Sequence, residues 1–466
     1  MAMDNANKPS HRPLPTEIAK VAKQLRERYC GAPMKHCVIR LCLAFTFAWA
    51  ARAENWPQWR GPNFNGSTTE KGLVATWSKT ANVLWVTPLP GYSGATPVIW
   101  DDHVFVSSPD DKKNLLFFCL DRKTGKVRWQ KQVVEKGDIE KGRNNCTSPS
   151  PVTDGKVVVV MYATGDVAAL DFDGKQLWTR QLAAEFGKLQ DNWIYGSSPM
   201  LYENRLYIQV LQHQPPEYEH ALDDKPSRES FLLCLDPSTG KNLWRHVRAT
   251  EAVSEAQEAY TTPIPHLAKD GTQIIVIGGD YVTAHSPADG AEIWRCGGLN
   301  VRKEKYWRIV PSPVCTEELI FASGPKRDPL LAIKDDGQGL VTSTHLAWQS
   351  KEYSTDCVTP LLYQGKLFVL DGDRQMITCV DPVTSDKKWQ GNLGVREIFR
   401  ASPTGADGRI YCISESGTVV VLEAGPEFKI LSTIRMEEQP VRSSIAVAHG
   451  QLFIRTGKNL YCIGKS

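Results

Sequence analysis

From about residue 83 the chain alternates between short apolar runs and clusters of turn-forming residues. The stretch from Phe231 to Trp244 shows the pattern most fully: Phe-Leu-Leu-Cys-Leu-Asp-Pro-Ser-Thr-Gly-Lys-Asn-Leu-Trp. An apolar run closes on Asp236, a turn centres on Gly240, and a second run ends at Trp244. That is the pattern of a β-hairpin. It returns at Cys119-Leu-Asp…Thr124-Gly-Lys…Trp129, at Ala169-Leu-Asp…Asp173-Gly-Lys…Trp178, and at Cys379-Val-Asp…Lys388-Trp389. Recurrence of such a unit marks a repeat architecture.

Each repeat opens with Ser/Thr-Pro: Thr96-Pro97, Ser150-Pro151, Ser198-Pro199, Thr262-Pro263, Ser312-Pro313, Thr359-Pro360 and Ser402-Pro403. A degenerate eighth opening is Ser443-Ser444-Ile445. A strand, a turn and a second strand follow, then the Asp-ending and Trp-ending strands. The spacing of about 42 to 64 residues suits a four-stranded propeller blade with variable loops. The eighth copy stops at Cys462-Ile-Gly without its Trp-ending strand, and Val83-Leu-Trp85-Val is such a strand without partners. Pairing the two ends closes the ring and leaves no open sheet edge. The expected fold is therefore all-β: one eight-bladed propeller of four-stranded antiparallel blades over residues 73–466, preceded by an irregular segment at 54–72.

The turn carries its own chemistry. Asp121, Asp171 and Asp236 can accept backbone N–H bonds across it, and Gly125, Gly174 and Gly240 supply positive φ. Trp85, Trp129, Trp178, Trp244, Trp294, Trp348 and Trp389 sit at one repeat position, where packing between blades is expected. Three blades depart from the pattern: the seventh has Phe428 and no Trp, the sixth has Ser385 for Gly, and the fifth lacks the Asp-x-x-Thr-Gly turn. Polar insertions at Glu135–Asn145 and Gln212–Ser230 read as surface loops.

Charge changes the picture at the N-terminus. The net charge is +3, yet nine Lys/Arg and three Asp/Glu fall in residues 1–53, leaving 46 basic against 49 acidic residues in the rest. The body has no basic stripe, which argues against nucleic acid. Met34-Lys-His-Cys-Val-Ile-Arg40, the apolar run Leu41–Trp49 and the small-x-small Ala51-Arg-Ala53 together make a secretory signal peptide. The run is too short to span a bilayer. Residues 1–33 read as an upstream extension, and a periplasmic or secreted protein is expected. Nine of twelve cysteines follow Ala53. Cys119, Cys234, Cys379 and Cys462 share a repeat position with Ala169 and Ala332, so this is a small core site. No CxxC or adjacent pair signals zinc or a disulfide framework.

The repeat Ser-Pro…Gly-Lys-Val…Ala-Leu-Asp-x-x-Thr-Gly-Lys-x-Leu-Trp resembles the pyrroloquinoline-quinone (PQQ)-type propeller repeat over nearly all of residues 56–466. Trp56-Pro-Gln-Trp59-Arg-Gly is similar to the N-terminal motif of its exported members. The resemblance implies an eight-bladed propeller outside the cytoplasm. It leaves two functions open. One group, the quinoprotein dehydrogenases, oxidises alcohols or sugars with PQQ and Ca²⁺. The other is non-catalytic, such as the scaffold subunit of the outer-membrane protein assembly machinery. The adjacent-cysteine disulfide that many of the enzymes hold against the cofactor is missing.

Chemistry, if any, is expected where the copies differ. The loops leading into each blade's first strand point at the central channel. They carry Arg143, Asn144 and Asn145; Asp191, Asn192, Trp193 and Tyr195; Glu258 and Tyr260; Tyr306, Trp307 and Arg308; Asp356; Arg396, Glu397 and Arg400; and Arg442. Arg, carboxylate and aromatic side chains thus gather at one end of the ring. Binding is assigned to Arg143, Asn145, Trp193, Tyr195, Glu258, Tyr260, Trp307, Arg308, Asp356, Arg400 and Arg442, because Trp, Tyr and Arg dominate binding hot spots. The competing reading is a solvated channel mouth with mutually paired charges. No catalytic residue and no metal ligand is assigned, since HExxH, the phosphate loop and Gly-x-Ser-x-Gly are all missing. The expectation is a cofactor-free, non-catalytic scaffold for a protein or polymer ligand of the cell envelope, with no membrane span. A PQQ/Ca²⁺ alcohol or sugar dehydrogenase and a carbohydrate-binding module are the alternatives.

Overall fold

The structure, a computed structural model, describes residues 54–137, 140–141, 144–189, 192–213 and 229–465. The upstream extension, the signal peptide, Arg143, Asp191 and most of the Gln212–Ser230 insertion lie outside the described residues. Eight sheets form the blades, each built on four strands paired in order, and a further two-stranded sheet pairs Glu140–Lys141 with Asn144–Asn145. Blade one is Val98–Trp100, His103–Pro109, Leu115–Asp121 and Val127–Val134. Blade eight holds Ala446–Ala448, Gln451–Arg455 and Asn459–Ile463, and its outer strand is Val83–Pro88 from the other end of the propeller. That strand runs antiparallel to the last, with Trp85 opposite Cys462 and Pro88 opposite Asn459. The ring closes as the repeat count requires. Among the described residues the longest α-helix is Leu182–Phe186, and no helix is long and apolar enough to cross a membrane.

The Ser/Thr of each repeat opening has a role that its recurrence alone does not disclose. The Thr96 N–H donates to the Ser150 hydroxyl at 2.9 Å, Ser150 to Ser198 at 3.0 Å, and Ser198 to Thr262 at 3.1 Å. Thr262 donates to Ser312 at 2.8 Å, Ser312 to Thr359 at 2.9 Å, and Thr359 to Ser402 at 3.0 Å. Ser402 donates to Ser444 and Ser444 back to Thr96, both at 3.2 Å. Eight blades are thus joined by one closed circuit of buried amide-to-hydroxyl bonds. The degenerate eighth opening has lost its proline and kept the hydroxyl.

A second lock lies further out. The indole N–H of Trp129 reaches the Phe172 carbonyl at 2.8 Å, and those of Trp178 and Trp244 reach the Pro237 and Pro287 carbonyls at 2.9 and 3.0 Å. Trp85, Trp348 and Trp389 do the same to Arg122, Pro382 and Gly425. Each acceptor belongs to the hairpin turn of the following blade. The turn glycine lies flat on the same ring: a Cβ at Gly240, whose φ is +69°, would sit 2.6 Å from Trp178. Glycine is needed there both for φ and for space. Blade six keeps a left-handed turn with Ser385 at φ 63°.

Within a blade, Trp faces a small residue that faces an aromatic. Trp244 is opposite Cys234, and Cys234 is opposite Tyr207. The two rings meet across it at 5.9 Å between centroids. The same trio recurs as Trp129, Cys119 and Phe105, and as Trp389, Cys379 and Phe368. All nine described cysteines are free, and burial pushes the Cys119 thiol up to about 12.

The irregular blades find substitutes. Blade five lacks the acceptor turn, so Trp294, fully buried, donates to Gln273 Oε1 at 3.0 Å inside its own blade. The longer connection adds Gly339–Leu340 as a fifth strand, parallel to Glu292–Cys296. Blade seven has no outer Trp of its own. Trp77, from the N-terminal segment, joins the core cluster that holds Tyr411 and Ile434 and donates to Met436 Sδ at 3.2 Å.

Ser312→Ala would strip the acceptor from the buried Thr262 amide. It is expected to cost about 1–3 kcal/mol in denaturant unfolding, while Ser312→Thr retains most of the stability. Wild-type stability in the alanine variant would refute the load assigned to the circuit. Cys234→Ala should stay within about 1 kcal/mol, whereas Cys234→Leu, forced between two rings, should lose about 1–3 kcal/mol.

Candidate ligand-binding cup on the ring axis

The N-terminal segment crosses one end of the channel. Trp56 pairs with Ile99 of blade one, and the Pro57 carbonyl accepts the Thr153 N–H of blade two at 2.9 Å. Arg60, 3% exposed, then donates to the Pro360 and Pro403 carbonyls of blades six and seven at 3.0 and 3.1 Å. Burial pulls its pKa down to about 9. Its guanidinium occupies the space that a Cβ at Gly66 would need, which accounts for the glycine. Further on, Ser67 pairs with Gly405, and Tyr411 donates to the Val74 carbonyl at 3.1 Å. These contacts fall on first strands, on the prolines just before them and on a second strand, so the segment runs across the ring from blades one and two to blades six and seven. The channel is therefore a cup with a floor, and Trp59 is in that floor.

The cup encloses about 360 Å³, and every blade contributes to its wall. Gly94, Ser148, Trp193, Tyr260, Arg308, Asp356, Arg400 and Arg442 come from blades one to eight in that order. Six of the eleven residues picked from sequence, Trp193, Tyr260, Arg308, Asp356, Arg400 and Arg442, line this single space.

A polar belt ties the rim together. Glu415 accepts Arg442 Nε at 2.8 Å, and Arg442 also donates to Asn144. Asn144 Nδ2 reaches the Trp193 carbonyl at 2.8 Å, and the Trp193 indole reaches Glu255 at 3.0 Å. Glu255 lies 3.3 Å from Arg308 Nε, and Arg308 faces Asp356 with both contacts at 3.4 Å. Arg400 pairs with Asp373 at 2.7 Å. Burial works against the Arg308 charge, but Asp356 and Glu255 outweigh it and hold its pKa above the usual value. Burial likewise raises Asp356, yet Arg308 and the Lys326 N–H bring it below the carboxylate range. Of the carboxylates paired with the three arginines, only Asp356 itself faces the cup. Trp193 is 44% exposed at its mouth.

The remaining candidates sit elsewhere. Glu258 is fully buried and acts as a strut: its carboxylate accepts the Asn192 N–H at 3.0 Å and the Tyr260 hydroxyl at 2.6 Å, and contacts His213. Tyr195, 3% exposed, donates to the Gln209 carbonyl at 2.6 Å inside blade three. Asn145 is buried, holds the Tyr92 carbonyl at 2.7 Å, and lines a neighbouring groove of about 920 Å³ with Arg396, Glu397 and Glu415. Trp307 does not line the cup and carries the Arg302 guanidinium over its ring at 4.9 Å. The sequence reading missed Trp59 as a cup residue and Arg60 as the anchor of its segment. Their Trp-Arg-Gly setting marked packing and gave no hint of the channel.

The family model described as outer membrane protein assembly factor BamB matches residues 64–209 and 278–425. The chain belongs to that family. Comparison with curated proteins returns no match. Among solved structures, this BamB-like propeller is similar to BamB from Moraxella catarrhalis, at 14% identity and TM-score 0.59, covering 82% of this chain and 99% of that one. It is equally similar to the quinohemoprotein alcohol dehydrogenase from Comamonas testosteroni, at 12% identity and TM-score 0.61, covering 88% and 81%. A europium-containing methanol dehydrogenase follows at 10% and 0.58, covering 88% and 89%. Such identities establish the fold alone, and the fold serves both binding and redox chemistry.

Calcium takes six to eight oxygen ligands. Among the described residues no group of three or more His, Cys, Asp or Glu could hold a metal. The one carboxylate facing the cup, Asp356, is already engaged by Arg308 and Lys326. Cys357, on the wall, has Asp356 and Val358 as neighbours and no cysteine beside it.

Arg308→Met tests the belt. Asp356 has a depressed folded pKa, so its pairing stabilises the protein above the unfolded carboxylate pKa and is lost as pH falls through the folded value. The substitution is expected to cost about 2–4 kcal/mol at neutral pH and progressively less below about pH 4. A cost that does not change with pH would break the assignment.

Proposed function

We propose that this BamB-like propeller is exported and acts as a non-catalytic binding module, taking a protein or extended polymer segment of the cell envelope into its axial cup. The observation that carries this reading is the cup itself. It has a wall drawn from all eight blades, Trp59 of the crossing segment, an exposed indole and three guanidiniums. Such side chains dominate binding hot spots. Export rests on the basic, apolar and small-x-small succession at residues 34–53.

Two measurements test it. Equilibration with PQQ and Ca²⁺ should give neither stoichiometric binding nor dye reduction over an alcohol and sugar panel; tight binding with turnover would sink the proposal. Crosslinking in envelope extract should join the wild-type protein to a defined ligand. Trp193→Ala combined with Arg442→Glu should lower the yield at least about tenfold, the effect of 1.4 kcal/mol. An unchanged yield removes the cup as the site.

A further inference from the structure

The segment that floors the cup is fastened at its first residue, and the fastening contains an unbalanced charge. The Glu54 backbone N–H donates to Glu70 Oε1. Glu70 is 8% exposed, and its other oxygen accepts the Gly450 N–H of blade eight at 2.6 Å. Its hydrogen-bond donors are thus two backbone amides, and among the described residues no Lys or Arg forms an ion pair with it. A buried carboxylate without a cation is costly. The Glu54 side chain, for its part, binds the Thr69 N–H at 2.9 Å and the Thr69 hydroxyl at 2.7 Å, and also the Thr68 hydroxyl. Next to it, Asn55 Oδ1 joins the Asp101 N–H of blade one at 2.7 Å and His449 Nε2 of blade eight at 3.2 Å.

Glu54 is also the residue that follows Ala51-Arg-Ala53. We infer that removal of the leader after Ala53 completes the floor of the cup, because it turns the Glu54 amide into an ammonium group seated against the Glu70 carboxylate. The step is a hydrolysis by a signal-peptidase-class endopeptidase. Water adds across the Ala53–Glu54 bond, Ala53 leaves with the new carboxylate, and the nitrogen of Glu54 takes up protons to become –NH₃⁺. The missing cation is thereby supplied by the chain's own terminus, on the carboxylate that bridges the segment to blade eight. Floor residues Trp59 and Arg60 follow five and six positions later, so the latch is set only in the exported protein. This inference rests on the export reading.

The test separates the two. First, the N-terminus of protein recovered from the exported fraction should read Glu-Asn-Trp-Pro; any other start overturns the latch and leaves cup binding to be judged by crosslinking. Second, mature protein with a free Glu54 amine is compared with the same protein acetylated at that amine, each as wild type and as Glu70→Gln. Acetylation keeps the N–H and removes the charge. In the wild type it should speed amide exchange over residues 55–72 about tenfold. In Glu70→Gln, which has already lost the anionic partner, acetylation should change exchange less than about twofold. Equal effects in both backgrounds, or none in the wild type, would overturn the ion pair. Circular dichroism of all four proteins checks that each is folded.

Discussion

The closed circuit of amide-to-hydroxyl bonds is the constraint from which the rest of the molecule follows. Each repeat opening gives one N–H to the next blade and one hydroxyl to the previous one, through separations of 42 to 64 residues for seven of the bonds and 348 for the one that closes the ring. A ring bond of this kind tolerates any loop length between blades but no change in the short side chain that makes it. Seven of the eight openings place proline next. Proline biases the preceding residue toward an extended backbone. It also removes an N–H that would have no partner at the channel wall. Two of those prolines, Pro360 and Pro403, lend their carbonyls to Arg60 instead. The same short motif thus builds the ring and anchors its floor.

Further from the axis the blades are held by the indole that reaches across to the next turn. Its demands explain why the repeat is legible at all. The turn needs Asp to gather its N–H groups, Gly to lie under the ring, and a small residue between Trp and the aromatic behind it. These are local requirements, met within about fifteen residues, so the hairpin from Phe231 to Trp244 announces them in its own letters. Blade number and the pairing of Trp85 with Cys462 were legible for the same reason. What was not legible is how irregular copies compensate. Nothing local to Trp294 says that Gln273 replaces a missing turn, and nothing local to Trp77 says that it serves blade seven, hundreds of residues away.

The cup was legible in part. A loop that leads into an innermost strand must pass the axis, and that geometry brought Trp193, Tyr260, Arg308, Asp356, Arg400 and Arg442 together. It could not say which way each side chain turns. Glu258 and Tyr195 lie in the same loops but point into the protein, where a carboxylate or hydroxyl finds backbone donors and carbonyls. They position Tyr260 and the loop bearing Trp193 rather than face the channel. Arg60 escaped notice because its partners are carbonyls of blades some 300 residues on, a relation with no sequence signature.

The belt also limits what the cup can recognise. Each of its arginines is already satisfied by a carboxylate, so the two readings of the channel mouth, paired charges and binding surface, describe the same atoms. Net positive charge is then not the attraction. A ligand group gains from Arg308, Arg400 or Arg442 only by adding to, or exchanging with, an existing partner, which returns little net energy. What it meets at no such cost is the exposed face of Trp193 and the floor indole of Trp59. Affinity should therefore come from apolar or planar surface laid between the two indoles. Under the proposed binding role the fixed guanidiniums would select among ligands by geometry, because a group that breaks a pair without replacing it leaves a carboxylate stranded. The shared repeat holds this end of the ring, where the blades differ most from one another.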